Sequence, residues 1–207
     1  MKPMRLIIAT ENEGKLREIK HLLRGVKISI VSLAKLDKKF HIKENGKTFF
    51  ENAVKKTKPV SNFYKDDLVA GEDSGLEVNF LKGQPGVYSK RYSGKNWTYE
   101  KNNLKILKEL EGVPAKKRKA SFHCCLVLFK AGKLIKKIDG RLNGYISKDS
   151  RGVNGFGYDP IFYIPIYNKT IAQLPLNVKN RISHRGIAFL KLKKCLLLMQ
   201  KKVVNNV

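Results

Sequence analysis

Glu72 and Asp73 are adjacent carboxylates in the stretch GEDSGLEV, and such side chains can hold a metal ion or move a proton. The apolar run DLVAG before them predicts a buried strand, and Ser74-Gly75 predicts a tight turn after it. A buried carboxylate without a partner is costly, whereas Mg²⁺ is commonly held by one or two carboxylates with phosphates and water. The pair therefore indicates either a metal site, with Glu44 of KENGK as a third oxygen donor, or a surface turn.

The stretch ATENEGK predicts a turn that could bind an anion. A strand ends at Thr10, and a helix begins near Asn12 or Glu13. Such a turn presents free backbone amides at the positive end of the helix dipole, and Lys15 in the first helical turn could reach the same anion. The alternative is that Asn12 only caps the helix and Lys15 is a surface residue. The phosphate-binding pattern GxxxxGK[ST] is absent.

The stretch SHRG places two cations at the start of the last predicted helix. Ser183 is a natural N-cap, so His184 and Arg185 fall in the first turn, where the helix dipole disfavours positive charge. A bound anion would make this placement favourable, and Lys179 just upstream could add charge. The alternative is that Arg185 is merely solvated.

The stretch GFGYDP could hold a planar ligand. Gly155 and Gly157 allow close approach of the backbone, Phe156 and Tyr158 offer flat faces for stacking, and Asp159 can accept a hydrogen bond from a base or a sugar. The alternative is an ordinary turn in which the proline sets the next strand.

The elements that must position these residues predict an α/β fold. MRLIIAT, NEGKLREIKHLLRG and VKISIVSL read as strand, helix and strand. GKTFFENAVKKTK predicts a second helix, which Thr48 and Glu51 begin with a capping-box pattern. TYEKNNLKILKELEG predicts a third, two long strands flank Ala131-Gly132, and SHRGIAFLKLKKCLLLMQKK predicts the closing helix. Without repeats or a low-complexity linker, residues 1–207 are expected to form one domain.

Positive charge dominates the composition. Lys and Arg number 43, Asp and Glu number 17, and the net charge is +26. A basic surface can bind nucleic acid through its phosphates. The lysines are scattered, however, and we find no stripe of Lys and Arg with interleaved aromatic residues. We therefore interpret the charge as a general composition, and no dedicated nucleic-acid partner is expected.

The cysteines and the apolar runs exclude several classes of protein. Three cysteines without CxxC spacing predict neither a disulfide framework nor a structural zinc site. The longest apolar runs, CCLVLF and CLLLM, are too short to cross a membrane, and no signal h-region is visible. A cytoplasmic protein without a membrane partner is expected.

Six segments, in this order, resemble the motif series of the inosine triphosphate pyrophosphatase family, also called XTP/dITP diphosphatases. They are ATENEGK, FFENA, GEDSGLEV, PGVYSKRYSG, NGFGYDPIF and SHRGIAFLKL. The resemblance runs from about Arg5 to Leu192, and it is greatest to the bacterial members. A related but weaker alternative is a Maf-type pyrophosphatase acting on modified pyrimidine nucleotides, and the SHRG and GFGYDP motifs favour the purine family.

The resemblance implies a two-lobed α/β fold with a long twisted mixed sheet, flanking helices and an active site in the cleft between the lobes. It implies Mg²⁺-dependent hydrolysis of ITP, dITP and XTP to the nucleoside monophosphate and pyrophosphate, usually by a homodimer. It also implies roles for single residues. Asp73 would be the catalytic base, and Asp73 and Glu44 would hold the metal. Substrate contacts would come from Thr10, Glu11, Asn12, Glu13, Gly14, Lys15, Ser74, Phe156, Gly157, Tyr158, Asp159, Lys179, His184 and Arg185.

Overall fold

Strands β1–β7 form a mixed sheet in the computed structural model, which describes residues 4–204. Their order in the sheet is β2-β1-β3-β4-β5-β6-β7. β1 pairs in parallel with β2 and β3, whereas β6 pairs antiparallel with β5 and β7. The α/β class is therefore confirmed. The strands are β1 Arg5–Ile8, β2 Ser29–Ser32, β3 Leu68–Val78, β4 Lys119–Lys130, β5 Lys133–Ile146, β6 Phe162–Ile164 and β7 Lys169–Thr170.

The helices begin largely where the capping residues predict. Asn12, Thr48 and Thr98 each accept a hydrogen bond from a backbone amide three residues ahead, which satisfies a free donor of the first turn. The second helix continues through Pro59, and the fourth was not predicted. The helices are α1 Glu13–Leu22, α2 Phe49–Phe63, α3 Tyr99–Glu109, α4 Leu176–Ile182 and α5 His184–Val204. Among the described residues, no helix is long and apolar enough to cross a membrane.

The chain divides into two compact units, each with its own apolar core. The first unit comprises residues 1–73, 124–140 and 186–207, and the second comprises 74–123 and 141–185. In the first unit, β1 and β4 pack against α1 and α5. In the second unit, a separate apolar core contains the buried ring of Phe162. The prediction of one domain stays a prediction.

Strand β3 runs unbroken from Leu68 to Val78, so the tight turn predicted at Ser74-Gly75 is wrong. Leu76 and Val78 are fully buried beyond the predicted turn, and the backbone amide of Leu76 donates to Ser89 Oγ. Burial of the strand overrides the turn preference of the Ser-Gly pair. Asp73 and Ser74 are consequently neighbours within one strand, and the boundary between the two units falls between them.

Candidate active site

Two buried carboxylates of β3 lie beside two ammonium groups in the first unit. The exposed fractions of Glu72 and Asp73 are 3% and 7%. The Lys15 ammonium lies 2.7 Å from Glu72 Oε1, and the Lys56 ammonium lies 3.6 Å from Asp73 Oδ1. Lys56 also pairs with the more exposed carboxylate of Glu44 at 2.9 Å. These residues, together with Asn52, are called the carboxylate cluster below.

Asn52 fixes the carboxylate of Asp73 in place. Its side-chain amide donates to Asp73 Oδ2 at 3.0 Å, and its amide oxygen accepts from the backbone N–H of Gly46 at 2.7 Å. A Cβ at Gly46 would lie 2.8 Å from that amide oxygen, so the close approach suits a glycine. Asn52 thereby joins the loop that carries Glu44 to the strand that carries Asp73.

Burial and neighbouring charge set the protonation of this cluster. Burial raises the pKa of Asp73 above 3.8, and the nearby ammonium groups of Lys56 and Lys15 offset only part of that effect. Burial alone would lower the pKa of Lys56, but the carboxylates of Asp73, Glu44 and Glu72 outweigh it, so the pKa is raised. The arrangement keeps Lys56 charged and leaves Asp73 a stronger proton acceptor than an exposed aspartate.

The oxygen donors of the carboxylate cluster suit a Mg²⁺ ion whose remaining coordination positions are filled by water and phosphate. Asp73 and Glu44 both contact the Lys56 ammonium, so their oxygens converge on one region. Within the described part of the chain, no group of three or more His, Cys, Asp or Glu could hold a metal by itself. A site of two carboxylates with remaining positions for water and phosphate is the arrangement that Mg²⁺ favours.

Asn52 and Lys56 are functional candidates that the sequence analysis missed. They lie four residues apart on one face of α2, and both are buried, at 2% and 7% exposure. The signal was present in FFENAVKK, because polar residues spaced i, i+4 on the buried side of an amphipathic helix need a partner. The partner could not be read from the sequence, since Asp73 lies 21 residues from Asn52 along the chain.

The turn between β1 and α1 is built by its own side chains. Thr10 Oγ1 accepts from the backbone N–H of Asn12 at 3.2 Å, and Asn12 Oδ1 accepts from that of Lys15 at 2.9 Å. Asn12 is therefore the N-cap of α1, as the alternative interpretation of this turn predicted. Lys15 reaches the carboxylate cluster, whereas Glu11 and Glu13 are exposed and make no ion pair with any described residue.

Asp159 organises the GFGYDP loop of the second unit. Its Oδ2 accepts from the Lys179 ammonium at 2.7 Å and from the backbone N–H of Phe156 at 3.0 Å. The Asp159 and Lys179 side chains are both only 6% exposed, so this is a buried ion pair. A Cβ at Gly155 would lie 2.1 Å from the same oxygen, and the φ of Gly155 is +83°, so the loop requires glycine there.

Tyr158 does not offer a stacking face, so that part of the expectation is wrong. Its ring is 5% exposed and belongs to the core of the second unit, and its hydroxyl donates to the backbone oxygen of Ser89 at 2.8 Å. Burial raises the pKa of Tyr158, which keeps the hydroxyl protonated. Phe156 is partly exposed and remains the ring of this loop that can contact a ligand.

Two cations lie near the Phe156 ring. The Lys179 ammonium is 4.8 Å and the Arg185 guanidinium carbon is 5.4 Å from the ring centroid. Arg185 Nη2 also donates to Ser74 Oγ at 3.2 Å, and the His184 ring stacks on Phe122 at a centroid distance of 4.7 Å. Arg185 is therefore not merely solvated, because it is only 3% exposed. We call the following residues the base-loop cluster below: Ser74, Phe122, Phe156, Lys179, His184 and Arg185.

Comparison with known proteins supplies relatives of nearly the full length. The Ham1 family model matches residues 6–195. The dITP/XTP pyrophosphatase of Caldanaerobacter subterraneus subsp. tengcongensis is 46% identical over 194 residues, 94% of this chain and 96% of the relative. That of Geobacter sulfurreducens is 46% identical over 189 residues, 91% of this chain and 94% of the relative.

Solved structures agree with these relatives. The HAM1 protein from Coxiella burnetii superposes with a TM-score of 0.84 at 37% identity, covering 94% of this chain and 98% of that protein. The Staphylococcus aureus Ham1 protein gives a TM-score of 0.83 at 37% identity, covering 93% and 97%. The family predicted from the motif series is confirmed, and the chain belongs to the Ham1 family.

Proposed function

We propose that the protein hydrolyses the non-standard purine nucleoside triphosphates dITP, ITP and XTP to the monophosphate and pyrophosphate. The observation that carries this proposal is the buried Asp73 carboxylate held beside two lysines, in a chain 46% identical to dITP/XTP pyrophosphatases. Removing such nucleotides keeps them out of DNA and RNA. The homodimer and the cytoplasmic location expected from the sequence are part of the same proposal.

The carboxylate cluster would act on the phosphates. Mg²⁺, held by Asp73 and Glu44, would neutralise charge on the phosphate oxygens when bound. The ammonium groups of Lys15 and Lys56 would stabilise the same charge from the protein side. Asp73 would accept the proton of the attacking water, because its raised pKa makes it the stronger base, and Asn52 would hold its carboxylate in orientation.

The base-loop cluster would recognise the purine. A base lying against Phe156 would have its edge close to the cations of Lys179 and Arg185. Both side chains only donate hydrogen bonds, so they match the O6 carbonyl of hypoxanthine and xanthine and oppose the amino group of adenine. The backbone N–H of Phe156 is already used by Asp159, so the donors to O6 are side chains rather than that amide.

A substrate comparison tests the proposal. With Mg²⁺, kcat/KM for dITP and XTP is expected to exceed that for dATP by about 100-fold or more, because adenine leaves the cationic donors unpaired. Pyrophosphate release is the measurement, and EDTA should abolish it. Equal rates for dATP and dITP would contradict the assigned recognition, and release that persists in EDTA would contradict the metal.

Glu72 is expected to position Lys15. Replacing Glu72 by glutamine removes a charge-assisted contact of 2.7 Å to the ammonium, so kcat/KM for dITP should fall about 10-fold to 100-fold. The loss should be smaller in Glu72→Asp, which keeps the charge. Glu111→Gln, the same change at an exposed position, is the control. Full activity in Glu72→Gln would show that Lys15 needs no such partner.

A further inference from the structure

Aromatic residues and cations alternate along residues 88–97, YSKRYSGKNW, in the second unit. Together with Lys105 of α3 they line a cavity of about 530 Å³, called the aromatic pocket below. Its walls carry the rings of Tyr88, Tyr92 and Trp97 and the cations of Arg91, Lys95 and Lys105. The expectation that Lys and Arg do not interleave with aromatic residues is therefore wrong for this segment.

Each ring of the aromatic pocket has a cation near it. The Lys105 ammonium is 4.2 Å from the centroid of the Tyr92 ring, the Arg91 guanidinium carbon is 5.4 Å from that of Tyr88, and the Lys90 ammonium is 5.4 Å from that of Trp97. Tyr88 is 58% exposed, which is a large apolar area left in contact with water. Flat rings beside positive charge are the surface that binds a nucleotide, through its base and its phosphate.

Positive side chains line the aromatic pocket. No carboxylate side chain lines the cavity, and Lys95 has no ion pair with any residue between 4 and 204. The nearest acid in the contacts described, Glu109, accepts from the Tyr92 hydroxyl at 2.6 Å and lies 3.9 Å from Lys105. An anion entering the cavity would therefore meet the Lys95 ammonium, and no carboxylate of the cavity wall would oppose it.

The backbone around the pocket is held in place before any ligand binds. Asn102 of α3 accepts from the Ser93 N–H at 2.8 Å and donates to the backbone oxygen of Lys90 at 2.9 Å. Ser89 donates to the backbone oxygen of Gly86 at 2.6 Å and accepts from the Leu76 N–H. A preformed site loses less entropy on binding.

We propose that the aromatic pocket is a second nucleotide site that takes one nucleotide unit, with its base against the rings and its phosphate on Arg91, Lys95 and Lys105. A cavity of 530 Å³ lies within the range of about 300–1,000 Å³ that small-molecule sites occupy. None of its lining residues belongs to the carboxylate cluster or the base-loop cluster. The unit is either a free nucleoside monophosphate or one residue of a single strand, since both present the same chemistry.

Trp97 is the only tryptophan of the chain, so its fluorescence reports directly on this pocket. Titration with dTMP, which carries no purine, should quench the emission with saturation, and calorimetry on the same solutions should give the same affinity. Thymidine and inorganic phosphate alone should bind at least about tenfold more weakly, because each supplies only half of the contacts. Higher salt should weaken dTMP binding. No saturable quenching and no heat at millimolar dTMP would overturn the proposal.

Variants separate the aromatic pocket from the base-loop cluster. Tyr88→Ala and Lys95→Gln should each weaken dTMP binding about fivefold to tenfold, while Lys136→Gln, at an exposed position of the first unit, should not. Trp97 contacts Tyr99, which contacts Phe156, so Phe156→Ala is the necessary second control and should change the affinity less than twofold. Weakening by Phe156→Ala but not by Tyr88→Ala would overturn the proposal.

The source of the nucleotide follows from a comparison with (dT)8. Binding of (dT)8 that is tenfold or more tighter than that of dTMP, and that is lost in Tyr88→Ala, assigns the pocket to single strands. Equal affinity per nucleotide assigns it to free nucleotides. Tight (dT)8 binding that is insensitive to both Tyr88→Ala and Lys95→Gln would show that the general charge of the chain binds the strand, and would overturn the proposal.

Discussion

Replacing Asp73 by asparagine is expected to lower kcat/KM for dITP by about 10²–10⁴-fold, the usual contribution of a general base. The same change should raise the melting temperature of the metal-free protein. Burial raises the pKa of Asp73, so the fold disfavours its charged form, and asparagine is a neutral side chain of the same shape. Each 1 kcal/mol of relieved cost should raise Tm by about 2–4 °C.

The sign of the pH dependence follows from that direction. A carboxylate whose pKa is raised in the folded state destabilises the fold above that raised pKa, and the cost disappears as pH falls below the ordinary value of 3.8. The Tm difference between Asp73→Asn and the parent should therefore be greatest near neutral pH in EDTA and should shrink towards acid. Mg²⁺ should reduce this Tm difference, because only the parent protein keeps the Asp73 carboxylate and is stabilised by binding the metal through it.

Asp66→Asn is the matched control, since it makes the same change at an exposed position just before β3. Neither its activity nor its Tm should change appreciably. A fall in Tm for Asp73→Asn in EDTA would show that the carboxylate is a structural anchor. Retained activity would remove Asp73 from the role of base.

Replacing Lys179 by methionine is expected to destabilise the protein by about 3–5 kcal/mol, because it leaves the Asp159 carboxylate buried without its ammonium partner. Both side chains are 6% exposed and their charged atoms lie 2.7 Å apart. The same carboxylate accepts from the Phe156 N–H, so the loop that holds the ring should loosen and KM for dITP should rise. Urea unfolding and steady-state kinetics measure the two effects.

The double variant Asp159→Asn/Lys179→Met separates stability from recognition. Removing both charges should recover most of the lost stability, since no unpaired ion remains, while KM for dITP should stay high because a donor near Phe156 is missing. Arg151→Met, which removes an ion pair whose side chains are 56% and 57% exposed, should change Tm little. If KM recovered together with stability, Lys179 would be a structural residue only.

The local elements could be predicted from the sequence because short-range patterns determine them. The capping residues Asn12 and Thr48, the turn at Ala131-Gly132 and the closing helix all occur as predicted. The motif series identified the family for the same reason, since its residues stand in continuous segments. Where a pattern was ambiguous, as at Ser74-Gly75, burial of the strand decided against the turn.

The remaining features depend on contacts between residues distant in the chain. Lys56 pairs with Asp73 and Glu44, and Tyr158 donates to the backbone of Ser89, 69 residues away. The sequence shows that Tyr158 carries an aromatic ring, but it does not show that this ring is buried. The aromatic pocket was missed for a related reason, because five cationic or aromatic residues within ten positions become a cavity only when the loop folds against α3.

The most direct test of the proposed function is to identify the products of dITP hydrolysis with Mg²⁺ by ³¹P NMR. We expect one pyrophosphate for each dIMP from the first time point, with no dIDP and no phosphate, and a rate at least about 100-fold above that with dATP. Release of inorganic phosphate with accumulation of dIDP would contradict it, because the carboxylate cluster would then act at the terminal phosphate.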